Sequence, residues 1–178
     1  MLKVMAGLAA SLVATGASLA QSPPRPVCVS DEYRQFDFWV GQWDVYDPRT
    51  NALVAHSLIE KLYEGCAVRE NWMPLSGGGG GSLNSYRPDK KEWVQVWTDW
   101  QNSFNEYHGV LEDGAMVMTG KSTGPTGAES MTRMTFEPSK DGTVVQTGYV
   151  SPDSGRNWKL NYQFVYRRSP AVSGTGAR

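Results

Sequence analysis

Polar and apolar positions alternate one by one along most of this chain, from Gly41 to Arg167. A period of two is the signature of strands with one covered face. Ten such runs are predicted, at Gly41–Asp47, Leu53–Tyr63, Ala67–Pro74, Ser82–Arg87, Glu92–Asp99, Phe104–Glu112, Ala115–Ser122, Ser130–Pro138, Thr143–Ser151 and Trp158–Arg167. Turn chemistry separates them, as in Pro48-Arg49-Thr50-Asn51, Pro88-Asp89-Lys90-Lys91, Asp141-Gly142 and Pro152-Asp153-Ser154-Gly155. Asp113-Gly114 between two alternating runs is a hairpin signal, because both residue types tolerate the positive φ such a turn needs. Ahead of the first strand, Asp31 to Phe38 predicts a short helix with Ser30 or Asp31 as its N-cap.

Sequential strands with short links predict a meander. A meander this long leaves no exposed edge if it closes, so the expected fold is all-β: an up-and-down antiparallel β-barrel of about ten strands. A β-sandwich is the alternative. Gly41-x-Trp43 opens the first strand. Glycine lets the chain bend tightly there, and the indole two residues on can plug the end, so Gly41 and Trp43 are the expected barrel floor.

The chain has 178 residues and a formal net charge of −1. It carries no basic run, which argues against nucleic acid, whose binding needs clustered Lys and Arg. Lys3, an apolar stretch from Val4 to Leu19 and the small residues Ser18-Leu19-Ala20 predict a signal peptide over 1–20, cleaved before Gln21. The stretch is too short and too rich in Ala and Gly for stable membrane insertion. The expected product is exported, periplasmic or secreted. It comprises an N-terminal arm at 21–30, one barrel domain at 31–168 and a disordered tail at 169–178, about 158 residues in all. The two cysteines, Cys28 and Cys66, are an expected disulfide in an oxidising compartment. No further Cys and no nearby His completes a metal site with them.

Alternation also splits the faces. Val68, Glu70 and Trp72 share one face; so do Ser82, Asn84 and Tyr86; so do Trp93, Gln95, Trp97 and Asp99; so do Met131, Arg133 and Thr135. In the last strand Trp158, Leu160, Tyr162, Phe164 and Tyr166 align. Large aromatics belong where they are buried, so these faces are predicted to point inward. They bring Glu70, Asn84, Gln95, Asp99 and Arg133 with them. Apolar walls with a few convergent polar groups describe a ligand cavity. Internal pairing of Arg133 with Glu70 or Asp99 is the structural alternative.

Nucleophile and metal motifs are lacking: there is no HExxH and no Gly-x-Ser-x-Gly. Glu70 and Asp99 are the candidate catalytic residues, as a carboxylate pair for acid–base work. His56 and His108 read as surface or satisfied core residues, with His108 considered as a haem ligand. The five glycines Gly77 to Gly81 read as a loop, with a lid or a phosphate cradle as functional alternatives.

The Gly41-x-Trp43 after a short helix resembles the opening of the calycin superfamily, the lipocalins above all. In that family an Arg of the last strand packs across the Trp, a part that Arg167 or Arg168 would take. The chain also resembles a group of bacterial exported proteins of unknown function with a lipocalin-like barrel. The similar stretches run from Phe36 to Trp43, Gly65-Cys66, Glu70-Asn71-Trp72, Ser82 to Tyr86, Trp93 to Asp99, and Ser151 to Gly155 with Trp158. Ten strands exceed the eight of typical lipocalins and approach the fatty-acid-binding branch. The Arg-x-Tyr of that branch is not matched by Tyr166-Arg167-Arg168, and the further glycines of nitrobindin-type haem barrels are replaced by Asp44 and Tyr46. The resemblance implies a barrel that binds a small apolar or amphipathic molecule; these departures leave no cofactor expected. The expected ligand set is Glu70, Trp72, Asn84, Tyr86, Trp93, Gln95, Trp97, Asp99 and Arg133. An enzyme of isomerase, cyclase or lyase type on the same scaffold is the alternative function, and a filled structural barrel a third.

Overall fold

A computed structural model describes residues 27–123 and 129–170. The expected signal peptide, most of the arm and residues 171–178 of the tail lie outside the described residues. The ten strands are β1 (Gly41–Asp47), β2 (Ala52–Leu62), β3 (Ala67–Pro74), β4 (Gly80–Arg87), β5 (Glu92–Asp99), β6 (Phe104–Glu112), β7 (Ala115–Thr123), β8 (Glu129–Pro138), β9 (Val144–Ser151) and β10 (Lys159–Arg168). Each pairs antiparallel with its sequence neighbours, and β1 pairs with β10, so the sheet is a closed up-and-down barrel. Closure leaves no unpaired edge strand. The fold is therefore the all-β barrel that the alternation predicts, and it is compatible with a calycin-like fold.

The predicted short helix is two 3₁₀ turns, Asp31–Arg34 and Asp37–Trp39. Ser30 does not cap the first through its side chain; its hydroxyl donates to Glu32 at 2.5 Å instead. This segment lies across the end of the barrel where odd-numbered strands begin. Phe36 and Trp39 are fully buried there, against Trp93 at the start of β5 and Phe136 near the end of β8. Trp43 is fully buried beside them and donates its indole N–H to Trp39 O at 2.7 Å.

Gly41 explains the tight bend. Its φ is +143°, and a Cβ there would sit 1.8 Å from an Arg168 nitrogen. The Arg168 guanidinium instead lies 3.9 Å over the Trp43 ring and donates to Val40 O at 2.5 Å. The disulfide Cys28–Cys66 staples the N-terminal segment to the β2–β3 connection. Closing a loop of 38 residues contributes roughly 3–4 kcal/mol in the chain-entropy picture. No helix among the described residues is long and apolar enough to cross a membrane.

One irregularity redirects a whole face. The register of β10 against β9 shifts between Leu160 and Tyr162. An extra residue in one strand of a pair flips the side chains beyond it. Tyr162, Phe164 and Tyr166 therefore face inward, while Leu160 is exposed and Trp158 packs outside under Arg133.

Candidate functional site

Between the floor and the opposite end of the barrel lies a cavity of about 270 Å³. It is lined by Glu70 and Trp72 of β3, Gln95 and Trp97 of β5, Asn105 and Tyr107 of β6, Met134 of β8, Gln146 of β9, and Tyr162, Phe164 and Tyr166 of β10. Strand alternation brings these residues together, because each occupies an inward position of its own strand. Trp72, Trp97 and Asn105 are half-buried, near the end of the barrel where odd-numbered strands finish. The exposed side chains Leu75, Trp100, Phe104 and Leu160 belong to that same end.

Glu70 is the chemical centre of the cavity. It is buried, and among the described residues it is the only buried side chain that ordinarily carries a charge. The Ser57 hydroxyl donates to one carboxyl oxygen at 3.1 Å, and Ser82 approaches the other at 3.4 Å. The Tyr166 hydroxyl lies 3.4 Å from Glu70 but 2.8 Å from Gln146 Oε1. A hydroxyl has one hydrogen, and the shorter contact takes it. An ionised Glu70 is thus served by two modest donors, and no cation of the described residues forms an ion pair with it. Burial pushes its carboxyl up to about 7, against a smaller opposing pull from the surrounding hydroxyls, Ser57 foremost. The network runs on in both directions. Gln95 donates to Asn84 at 2.7 Å, and Asn84 donates to Ser82 at 3.0 Å and to Val68 O at 2.9 Å. On the other side Gln146 reaches the Tyr162 hydroxyl at 3.4 Å.

Of the expected ligand set, Glu70, Trp72, Gln95 and Trp97 line the cavity. Asn84 is fully buried one layer out, bonded to Gln95. Trp93 and Tyr86 belong to the floor: Trp93 donates to Gln35 at 3.0 Å and packs on Phe36, and Tyr86 packs on Tyr33 and Trp93.

Arg133 requires a correction. Its neighbour Met134 points inward, so Arg133 faces out, its guanidinium 4.7 Å from the Trp158 ring and 5.1 Å from the Tyr149 ring. It neutralises neither Glu70 nor Asp99.

Asp99 is spent on the β5–β6 turn. It accepts from the backbone N–H of Gln101 at 3.0 Å and of Ser103 at 3.1 Å, and from the Trp97 indole at 3.3 Å. Partial burial works to raise its carboxyl, but these hydrogen bonds outweigh it and hold the group below its usual range. Asp99 thus fixes the Trp97 ring rather than pairing with Glu70.

His108 faces outward, opposite Tyr107, with its two ring nitrogens 3.1 Å from Glu92 and 2.8 Å from Glu106. It is not a haem ligand in the lumen. His56 sits on the exposed face beside Asp44 at 2.9 Å. Among the described residues no three His, Cys, Asp or Glu side chains converge on a metal-sized site. The glycine run is only partly loop. Gly80 and Gly81 belong to β4, and a Cβ on Gly81 would lie 2.6 Å from Glu70 O. The Ser151-to-Gly155 stretch is a turn knotted by Asp153, which accepts from Ser151 at 2.7 Å and from Asn157 N–H at 2.8 Å.

The residues absent from the expected set are Asn105, Tyr107, Met134, Gln146, Tyr162, Phe164 and Tyr166. Their signal was present: Tyr107 lies opposite the charged pair Glu106 and His108, and Met134 opposite Arg133. No known protein family matches this chain, and no curated protein matches it.

Proposed function

We propose that this protein is an exported, lipocalin-like barrel that binds a small hydrophobic or aromatic molecule in its lumen, close in kind to the bacterial exported barrels it resembles. The observation that carries this reading is the cavity itself, with aromatic walls and a single buried carboxyl at its base. A structural barrel would fill that space and avoid the carboxylate. The volume is nearly twice the ~150 Å³ that holds benzene, which fits one or two rings rather than a tetrapyrrole or a long lipid. The disulfide supports export, since such bonds persist in oxidising compartments.

Titration with a panel of aromatics, lipids and tetrapyrroles tests the proposal, read by tryptophan emission from Trp72 and Trp97. Small aromatics are expected to shift the emission, and Trp97→Ala to weaken their binding about tenfold. Absence of any shift or calorimetric heat across the panel overturns the reading.

A second reading has its own support. A carboxyl raised to about 7 sits in the range of a general acid or base. An isomerase, cyclase or lyase would then use Glu70 alone. Turnover that disappears in Glu70→Gln while binding persists would select it.

A further inference from the structure

The proposed receptacle has a chemical polarity that narrows its ligand, and the following rests on that reading. Glu70 lies at the base of the cavity with no cation beside it among the described residues. Six aromatic rings line the cavity with it: Trp72, Trp97, Tyr107, Tyr162, Phe164 and Tyr166. The faces of such rings carry partial negative charge and attract cations, more strongly where water is excluded. The rings and the carboxylate therefore select the same sign of charge. The ionised carboxylate repels an anionic guest, and a neutral guest leaves that carboxylate without a charge partner.

We propose that the cavity receives a small arylalkyl amine, whose ammonium group pairs with Glu70 while its ring lies among Trp72, Trp97 and Phe164. A molecule of roughly ten to a dozen heavy atoms fits, scaled from the benzene-sized cavity. Binding to the protonated form of Glu70 breaks the carboxyl O–H bond and sends that proton to solvent. The ammonium then replaces it as the carboxylate's partner. Burial holds Glu70 protonated up to about neutrality in the empty barrel, so this proton is available below that point. The other titratable groups of the cavity are Tyr166 and Tyr162 of β10 and Tyr107 of β6, all pushed up by burial and neutral throughout this range. From β2 and β4 only the hydroxyls of Ser57 and Ser82 approach it. A proton released near neutral pH is therefore the one on Glu70.

Isothermal titration calorimetry with matched probes tests this. Benzylamine, phenethylamine and tryptamine are compared with the corresponding alcohols and with phenylacetate, in buffers of different ionisation enthalpy. The amines are expected to bind at least about tenfold more tightly than the alcohols. Amine binding should release most of one proton near about pH 6 and almost none above about pH 8.5. Glu70→Gln should reduce amine affinity to that of the alcohol and abolish the release. Retained alcohol binding by that variant shows that its cavity is intact. Alcohols that bind as tightly as amines, or an amine preference that survives Glu70→Gln, overturn the amine assignment and leave the receptacle standing. Failure of amines and alcohols alike overturns the amine assignment, and failure of the whole aromatic, lipid and tetrapyrrole panel as well overturns the receptacle.

Discussion

The two halves of this barrel are built from the same strands and serve opposite ends. At the floor, Phe36, Trp39, Trp43, Trp93 and Phe136 are all fully buried, and the rings of Phe36, Trp39, Trp93 and Phe136 are in contact. Halfway up, β3, β5 and β9 present Glu70, Gln95 and Gln146 beside half-covered rings. The floor fills its space, and the upper half does not. Tyr166 joins the two, packing on Trp39 and Trp43 with its ring and reaching Gln146 with its hydroxyl. The difference shows where the fold is held together and where it leaves room for a guest.

The sharpest way to break this division is at the floor. Trp43→Ala removes a fully buried indole, the Arg168 stack and the bond to Trp39 O. It should cost about 3–5 kcal/mol in denaturant unfolding. Any molecules that remain folded should keep their ligand preference.

The next test acts on the upper half through pH. Glu70 has a folded value raised from 4.5 to about 7. Between those values the folded chain binds a proton that the unfolded chain has lost, so stability falls as pH rises across that window. The loss sums to roughly 3 kcal/mol above neutrality. Glu70→Gln should flatten that part of the profile in chemical-denaturation curves taken from about pH 5 to 8. His108 is also raised, by its bonds to Glu106 and Glu92. Its contribution is present below its unfolded value and fades as pH climbs through the folded one, in the same direction. A His108→Gln background isolates the part due to Glu70.

The smallest effect lies outside both halves. Arg133→Ala loses an exterior stack worth about 0.5–1 kcal/mol and should leave ligand affinity within about twofold. A tenfold loss of binding there would mean that the cavity reaches the outer face after all.

The strands were legible because turn residues mark their ends. Asp113 and Gly114 both adopt the positive φ that their types favour, and β5 and β6 match the alternation to the residue. Glu70, Trp72, Gln95 and Trp97 were legible for the same reason: in β3 and β5 the period of two runs unbroken. Arg133 was misplaced because Met131, Arg133 and Thr135 form as regular a face as Thr132, Met134 and Phe136. Only pairing with β7 and β9 decides which looks inward. The shift between Leu160 and Tyr162 was invisible, because it depends on how β9 opposes β10 and not on any residue of β10 alone. Asp99 sits on an inward-type position, yet its carboxylate serves the N–H groups of the next turn, a contact that periodicity does not encode.

The seam between β1 and β10 joins the first strand to the last, with Trp43 opposite Arg168. During synthesis the sheet must therefore wait for the ten residues of β10 with two ragged borders open to any passing chain. Truncation by even a few residues at Arg168 would remove the rivet as well as the border. Closure of the barrel thus depends on whether its C-terminal strand arrives.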